Sequence, residues 1–83
     1  MKWYIYMLKC GDDSIYTGST NNIERRLKAH QSGKGAKYTK SHLPVKLVYS
    51  EELPDKSSAL KREAEIKNMS RKEKLEIISK NGP

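Results

Sequence analysis

The 83-residue sequence predicts an α/β fold of the α+β type, in which a small three-stranded antiparallel sheet is flanked by three helices. Two short runs rich in aromatic and β-branched residues flank a turn near the N-terminus, and a third such run follows Pro44. Helix-starting signals occur after the second run and twice in the C-terminal third. The predicted order is therefore ββαβαα, and we expect a single domain over residues 1–83 with its core at about 2–80.

The first twenty residues predict a β-hairpin. Residues 3–9 and 14–19 are typical of strands, and the turn between them contains Gly11, which we expect to take a positive φ. Side chains alternate along a strand, so a hairpin of even register places Tyr6 and Tyr16 on one face and close together. Tyrosines that only pack the sheet would show the same pattern.

The first helix follows this hairpin. Asn21 is expected to cap it, because its side chain and Glu24 three residues later can satisfy free amides of the first turn. Gly33 and Gly35 are expected to end it. The residues from 34 to 42 predict an irregular basic stretch.

The last third of the chain predicts one strand and two helices. Residues 45–50 form the third strand, and Asp55 is the expected N-cap of the second helix. Residues 70–73, Ser-Arg-Lys-Glu, form a capping box that opens the third helix. Leu75 and Ile78 are expected to form the buried stripe of that helix.

The charge of the chain indicates a polyanionic partner. Seventeen Lys and Arg against ten Asp and Glu give a formal net charge of +7. Such an excess on a short chain is typical of nucleic-acid binding, so DNA is the expected partner and RNA is possible. A basic surface that only keeps the protein soluble, or one that binds a membrane, is a less favoured reading.

The cysteine content and the hydropathy of the chain indicate the cellular compartment. Cys10 is the single cysteine, which excludes a disulfide framework and a thiolate metal cluster and fits a reducing cytoplasm. The N-terminal apolar run ends at Lys9 and is too short to cross a membrane. We therefore expect a cytoplasmic protein with no membrane association and no small-molecule cofactor, whose oligomeric state the sequence does not indicate.

Few residues suggest chemistry by their spacing alone. Arg26 and His30 are neighbours on a helix surface, where a guanidinium and an imidazole can hold a phosphate, although a solvated basic face looks the same. Glu63 reads as a surface carboxylate that pairs with Lys67. No spacing typical of a two-metal site, a zinc site or a phosphate loop occurs. The residues alone predict a basic, nucleic-acid-binding α/β domain.

Two tyrosine motifs resemble a known family. Tyr4-Ile5-Tyr6, followed ten residues after Tyr6 by Tyr16-Thr17-Gly18, resembles the paired signature of the GIY-YIG nuclease superfamily. Tyr4 replaces the glycine of the first motif and Thr17 the isoleucine of the second, and Ser19 stands where some members carry lysine. Residues 22–27 resemble the arginine-bearing helix of the family, and residues 59–63 resemble its glutamate-bearing helix. Between them, residues 37–39 and 44–49 resemble the small stand-alone bacterial branch of the superfamily.

The resemblance implies roles for five residues. Tyr6 would be the general base that activates water, and Tyr16 would hold that water or help to deprotonate it. Arg26 would bind the scissile phosphate, and His30 would assist proton transfer or contact phosphate. Glu63 would coordinate one divalent cation, Mg²⁺ or Mn²⁺.

The resemblance also implies an activity: divalent-metal-dependent endonucleolytic cleavage of structured, nicked or single-stranded DNA, in DNA repair or recombination. An alternative is a non-catalytic DNA- or RNA-binding module that retains the scaffold. In either case five basic side chains are expected to contact the nucleic acid, namely Arg25, Lys28, Lys34, Lys37 and Lys40.

Overall fold

A computed structural model describes residues 2–81. Its sheet has the order β2-β1-β3 and is antiparallel throughout. The elements are, in chain order, β1 (Trp3–Lys9), β2 (Ile15–Thr20), α1 (Ile23–Gln31), α2 (Lys37–Lys40), β3 (Lys46–Leu53), α3 (Lys56–Lys67) and α4 (Arg71–Asn81). The predicted fold class and order are confirmed, with α2 as one additional helical turn in the stretch expected to be irregular. None of the helices within residues 2–81 is long and apolar enough to cross a membrane.

The hairpin register places the tyrosines as predicted. Tyr6 lies opposite Gly18 and Leu8 opposite Tyr16, so Tyr6 and Tyr16 are diagonal neighbours on one face. On its other side, β1 pairs with β3. β3 continues to Leu53, beyond the predicted end at residue 50, because two glutamates that strand propensity disfavours still pair with β1.

Both faces of the sheet are covered. Alternate side chains of β1 pack into two separate clusters, as strand geometry requires. Ile5 and Met7 pack on one face with Ala59 and Ile66 of α3. On the other face, Tyr6 and Leu8 pack with Cys10 and Val45, and with three partly buried side chains, Tyr16, Leu27 and Leu47. The tyrosine face therefore lies under the segment that contains α1 and α2.

The hairpin turn differs from the prediction. Asp13 takes the left-handed conformation, with φ 68°, whereas Gly11 does not. Gly11 is required for another reason, because a Cβ there would lie 2.6 Å from the carbonyl oxygen of Leu43. Its amide donates to the carbonyl of His42 at 2.8 Å. The glycine thus allows the turn to approach the segment that leads into β3.

The cap of α1 lies one residue later than predicted. Asn22, not Asn21, accepts a hydrogen bond from the Arg25 amide at 3.0 Å and is therefore the N-cap. Two adjacent asparagines made the position ambiguous. The helix ends at Gln31, and Gly33 follows with φ 79°.

The caps of α3 and α4 are confirmed. Asp55 accepts from the Ser58 amide at 2.8 Å. Ser70 and Glu73 exchange side-chain and amide hydrogen bonds at 3.2 Å in both directions. The predicted stripe of α4 is wrong in part, because Leu75 is 42 % exposed while Ile77 packs beside Ile78 against the core.

Candidate active site

The phenol of Tyr6 lies at the centre of the site. Tyr6 is 3 % exposed, and its hydroxyl lies 2.9 Å from Nε2 of His30. Gly18 stands opposite Tyr6, and a Cβ there would lie 2.5 Å from the phenol oxygen. Gly18, the glycine of the second tyrosine motif, therefore leaves room for the end of the Tyr6 side chain because it has no side chain of its own.

His30 connects Tyr6 to α2. Its Nδ1 lies 2.7 Å from the Thr39 hydroxyl, which donates its proton to the carbonyl of Ala36 at 2.9 Å. Because that proton is already committed, Nδ1 of His30 must be the donor to Thr39. Nε2 is then the acceptor, and the Tyr6 hydroxyl donates to it. Gly35 makes this possible, since a Cβ there would overlap the His30 ring.

Burial keeps this pair neutral. Loss of water raises the pKa of the Tyr6 phenol, although the neighbouring Arg26 opposes the rise. Burial, with a smaller contribution from the positive charge of Arg26, lowers the pKa of His30. A neutral phenol therefore donates to a neutral imidazole in the resting protein.

Arg26 and Tyr16 complete the cluster on this face. Arg26 is half-buried on α1, where the positive charge of its guanidinium lowers the pKa of both the Tyr6 phenol and His30. The Tyr16 ring centroid lies 5.3 Å from that of His30 and 6.4 Å from that of Tyr6. Tyr16 also stacks with Tyr38 of α2, with ring centroids 6.1 Å apart.

Glu63 approaches from α3, which packs against β2 and β1. Its side chain is 18 % exposed, and its carboxylate accepts a 2.6 Å hydrogen bond from the Ser19 hydroxyl and forms a 2.7 Å ion pair with Lys67. The predicted pairing with Lys67 is confirmed. The negative charge of Glu63 also contributes to the raised pKa of Tyr6, so the carboxylate lies within electrostatic reach of the phenol.

The surroundings of Glu63 fit a cation held by one protein carboxylate. Within residues 2–81, no group of three or more His, Cys, Asp or Glu side chains is arranged to hold a metal. Glu63 nevertheless already binds a cation, since the Lys67 ammonium lies against one of its oxygens. Mg²⁺ commonly binds through one carboxylate, with waters and substrate phosphates as further ligands. A metal ion bound there would displace Lys67.

The five basic residues expected to contact nucleic acid are all exposed. They lie on α1, on α2 and in the connection between these helices, in the order Arg25, Lys28, Lys34, Lys37 and Lys40. Arg25 and Lys28 line a surface cavity of about 240 Å³ at the start of α1. The same segment carries Arg26 and His30, which face the tyrosine cluster.

Sequence reasoning missed Thr39, and the hydroxyl of Ser19 as a partner of Glu63. Thr39 lies in a segment predicted to be irregular, yet α2 places it on His30. Ser19 is 44 residues from Glu63 along the chain. No local sequence pattern predicts a contact between residues so far apart along the chain. For Thr39, the only signal was the short Lys37-Tyr38-Thr39 motif, which resembles the family.

Known proteins are similar to this chain over most of its length. Residues 2–76 match the family model described as the GIY-YIG catalytic domain. A UPF0213 protein of Syntrophus aciditrophicus is 59 % identical over 81 residues, which cover 96 % of this chain and 93 % of that protein. A UPF0213 protein of Staphylococcus haemolyticus is 54 % identical over 77 residues, covering 93 % of this chain and 94 % of the relative.

Solved structures agree as well. The solution NMR structure of a UPF0213 protein from Bacillus halodurans is similar with a TM-score of 0.65 and 45 % identity, covering 99 % of this chain and 87 % of that one. A solution NMR structure of a protein from E. faecalis gives the same TM-score at 40 % identity, covering 96 % of this chain and 85 % of that one. With the family model matched over most of its length, the chain belongs to the GIY-YIG family.

Proposed function

We propose that the protein is a divalent-metal-dependent endonuclease that hydrolyses phosphodiester bonds in structured, nicked or single-stranded DNA in the cytoplasm, in DNA repair or recombination. The observation that carries the proposal is the meeting of Tyr6, Arg26 and His30 in one buried cluster within electrostatic reach of Glu63. Membership of a nuclease family and the net charge of +7 support it further.

Tyr6 acts in this proposal as the general base. Its oxygen accepts a proton from the attacking water while its own proton passes to Nε2 of His30, which becomes an imidazolium. Free tyrosine and histidine differ by about 3.5 pKa units, so this transfer is uphill by about 5 kcal/mol before burial widens the gap. The proton therefore stays on Tyr6 until substrate binds. Nδ1 of His30 donates to Thr39 throughout, which keeps the ring in place.

Arg26 supplies positive charge at the reaction centre. Its guanidinium can bind two oxygens of the scissile phosphate, and it also lies where it stabilises negative charge on Tyr6. Tyr16 borders the same space and positions the water. Losing one such preorganised group typically costs about 10²–10³ in rate.

Glu63 is the residue proposed to hold the metal. GIY-YIG nucleases generally use a divalent metal ion, and Mg²⁺ or Mn²⁺ would act there as a Lewis acid on the phosphate. Ser19 donates to one oxygen of Glu63 and so fixes the orientation of the carboxylate.

Substrate docking is assigned to the exposed basic surface of α1 and α2. Arg25 and Lys28 lie one turn apart at the start of this surface, and Lys34, Lys37 and Lys40 continue it. Contacts to phosphates position the strand without reading its sequence, and they make binding fall steeply with salt.

The test is cleavage of labelled single-stranded, nicked, flapped and branched DNA by the purified protein with Mg²⁺ or Mn²⁺. Glu63→Ala is expected to abolish cleavage and to leave DNA binding nearly intact. Glu65→Ala is the matched control, because Glu65 is an exposed carboxylate of the same helix that pairs with Arg62. Cleavage by Glu63→Ala at the wild-type rate would contradict the mechanism.

One observation favours the alternative of a non-catalytic DNA- or RNA-binding module. Both oxygens of Glu63 are engaged, by Ser19 and by Lys67, in a way that satisfies the carboxylate without a metal. Binding to these substrates without cleavage in either metal would establish this alternative over the endonuclease.

A further inference from the structure

We propose that a groove along the outer edge of β2 binds one unpaired nucleotide of the substrate, with its base against Tyr38 and a phosphate on Lys67 and Lys74. The inference rests on the proposed function in taking nucleic acid as the substrate, and it names the form of nucleic acid that the site selects.

The groove has the size and composition of a nucleotide site. Its volume is about 290 Å³, and its walls are formed by Ile15, Tyr16, Thr17, Tyr38, Lys67 and Lys74. This volume lies at the lower limit of ligand pockets, roughly 300–1,000 Å³, so it suits one nucleotide. Aromatic rings beside ammonium groups match a flat base with its attached phosphate.

Tyr38 forms an aromatic wall of the groove whose ring is already ordered in the free protein. It is 42 % exposed, yet its ring is fixed by stacking on His42, with centroids 4.2 Å apart and planes 11° from parallel. The Tyr16 ring centroid lies 6.1 Å from that of Tyr38, with the two planes 21° apart. An exposed ring that is already ordered loses little conformational freedom when a base packs against it.

Thr17 contributes a polar group to the wall of the groove. Although it lines the groove, the residue is 3 % exposed, and its hydroxyl oxygen has no hydrogen-bond partner among the described residues 2–81. Buried polar groups are nearly always hydrogen-bonded, so an exception requires an explanation. Because this oxygen is covered in the free protein, the edge of a base would satisfy it only after the Thr17 side chain rotates toward the groove.

The lysines connect the groove to the reaction centre. Lys67 of α3 lines the groove and also pairs with Glu63, and Lys74 of α4 lines the groove as well. Tyr16 borders both the groove and the ring of His30. A nucleotide in the groove is therefore adjacent to the scissile phosphate.

This position implies a specificity. A base inside a duplex is paired and stacked, and extruding it breaks these interactions, whereas an unpaired base enters without that cost. The groove therefore favours substrates with an unpaired nucleotide beside the cut over continuous duplex.

The first experiment measures binding in EDTA at low salt by fluorescence anisotropy. The probes are a short labelled oligothymidylate and a labelled blunt-ended DNA duplex of two separate strands. Tyr38→Ala is expected to weaken oligothymidylate binding about ten-fold, since stacking on an aromatic ring contributes that order of affinity, and to leave duplex binding unchanged. Tyr38→Phe, which keeps the ring, is expected to bind like the wild type. Oligothymidylate binding by Tyr38→Ala at wild-type affinity overturns the proposal.

A second pair of variants tests the phosphate contact independently of Tyr38. Lys74→Ala and Lys72→Ala each remove one positive charge from α4, but only Lys74 lines the groove. Lys74→Ala is expected to weaken oligothymidylate binding several-fold and Lys72→Ala to leave it unchanged. Equal effects of the two variants overturn the proposal.

Binding in EDTA does not depend on cleavage, so the two proposals fail separately. A wild-type protein that cleaves nothing, with groove variants that lose oligothymidylate binding, refutes the endonuclease and supports the groove. Active cleavage with groove variants that bind like the wild type refutes the groove alone.

Discussion

The Tyr6 hydroxyl donates to Nε2 of His30 at 2.9 Å, and this bond joins the central strand to the end of the first helix. The other ring nitrogen of His30 is occupied by Thr39. A phenol is a poor base in water, and here its proton is hydrogen-bonded to a histidine whose orientation and tautomer are fixed. The sequence motif of two tyrosines is therefore completed by two residues outside it.

Replacing His30 should impair both catalysis and folding. We expect His30→Ala to lower the cleavage rate by about 10²–10⁴, because proton transfer by a positioned group typically contributes that much. The variant also leaves the Tyr6 hydroxyl without its partner, which should lower the free energy of unfolding by about 1–3 kcal/mol. Single-turnover cleavage and urea denaturation measure the two effects. Gln31→Ala, at the exposed neighbouring position, is the control and should change neither.

Stability should depend on pH through His30. Burial lowers the pKa of this imidazole in the folded protein, so the unfolded chain binds a proton more readily. The contribution of neutral His30 is complete above the unfolded pKa of about 6.5 and is lost as pH falls from there through the lowered folded value. Denaturation between neutral and mildly acid pH should show this loss, and His30→Gln should reduce it. An equally steep decline in His30→Gln would assign the pH dependence to other groups.

The clash between residue 18 and the Tyr6 hydroxyl can be measured by a double-mutant cycle. Gly18→Ala places a methyl group 2.5 Å from the phenol oxygen and should destabilise the protein by about 1–3 kcal/mol, the usual cost of overpacking. The same methyl group would lie 2.6 Å from Cζ of Tyr6, an atom that phenylalanine keeps, so the second background is Tyr6→Leu, which lacks both atoms. In that background the cost of Gly18→Ala should be smaller. Equal costs in the two backgrounds would show that the end of the Tyr6 side chain is not what the glycine accommodates.

Local signals in the sequence predicted most of the fold. The Asp55 cap and the capping box at residues 70–73 depend on neighbours three positions apart, and both are correct. Which face of α4 meets the sheet depends on tertiary packing, and there Leu75 was expected to be buried and is exposed. In the site, strand alternation correctly brought Tyr6 and Tyr16 together. Thr39 could not be predicted, because its role arises only when α2 packs on α1.

Removing Lys67 should favour divalent cations at Glu63. The ammonium of Lys67 competes with a metal ion for the carboxylate, so Lys67→Ala should tighten Mn²⁺ binding by up to about five-fold, as expected for an ion pair of up to about 1 kcal/mol. Isothermal titration calorimetry with Mn²⁺ alone provides the measurement. Lys61→Ala on the same helix is the control for loss of one positive charge. Weaker Mn²⁺ binding by Lys67→Ala than by this control would show that Lys67 does not compete with the metal.

Adjacent arginines of α1 should separate catalysis from docking. Arg26 is half-buried and acts on the Tyr6 phenol, whereas Arg25 is exposed. We expect Arg26→Ala to lower kcat about 10²–10³-fold with little change in DNA affinity. Arg25→Ala should instead weaken binding and reduce the slope of log affinity against log salt by about 1, while kcat is retained. Both variants remove one guanidinium from the same helix, so each is the control for the other. Equal losses of kcat and affinity in Arg26→Ala would make Arg26 a docking residue rather than a group that stabilises the transition state.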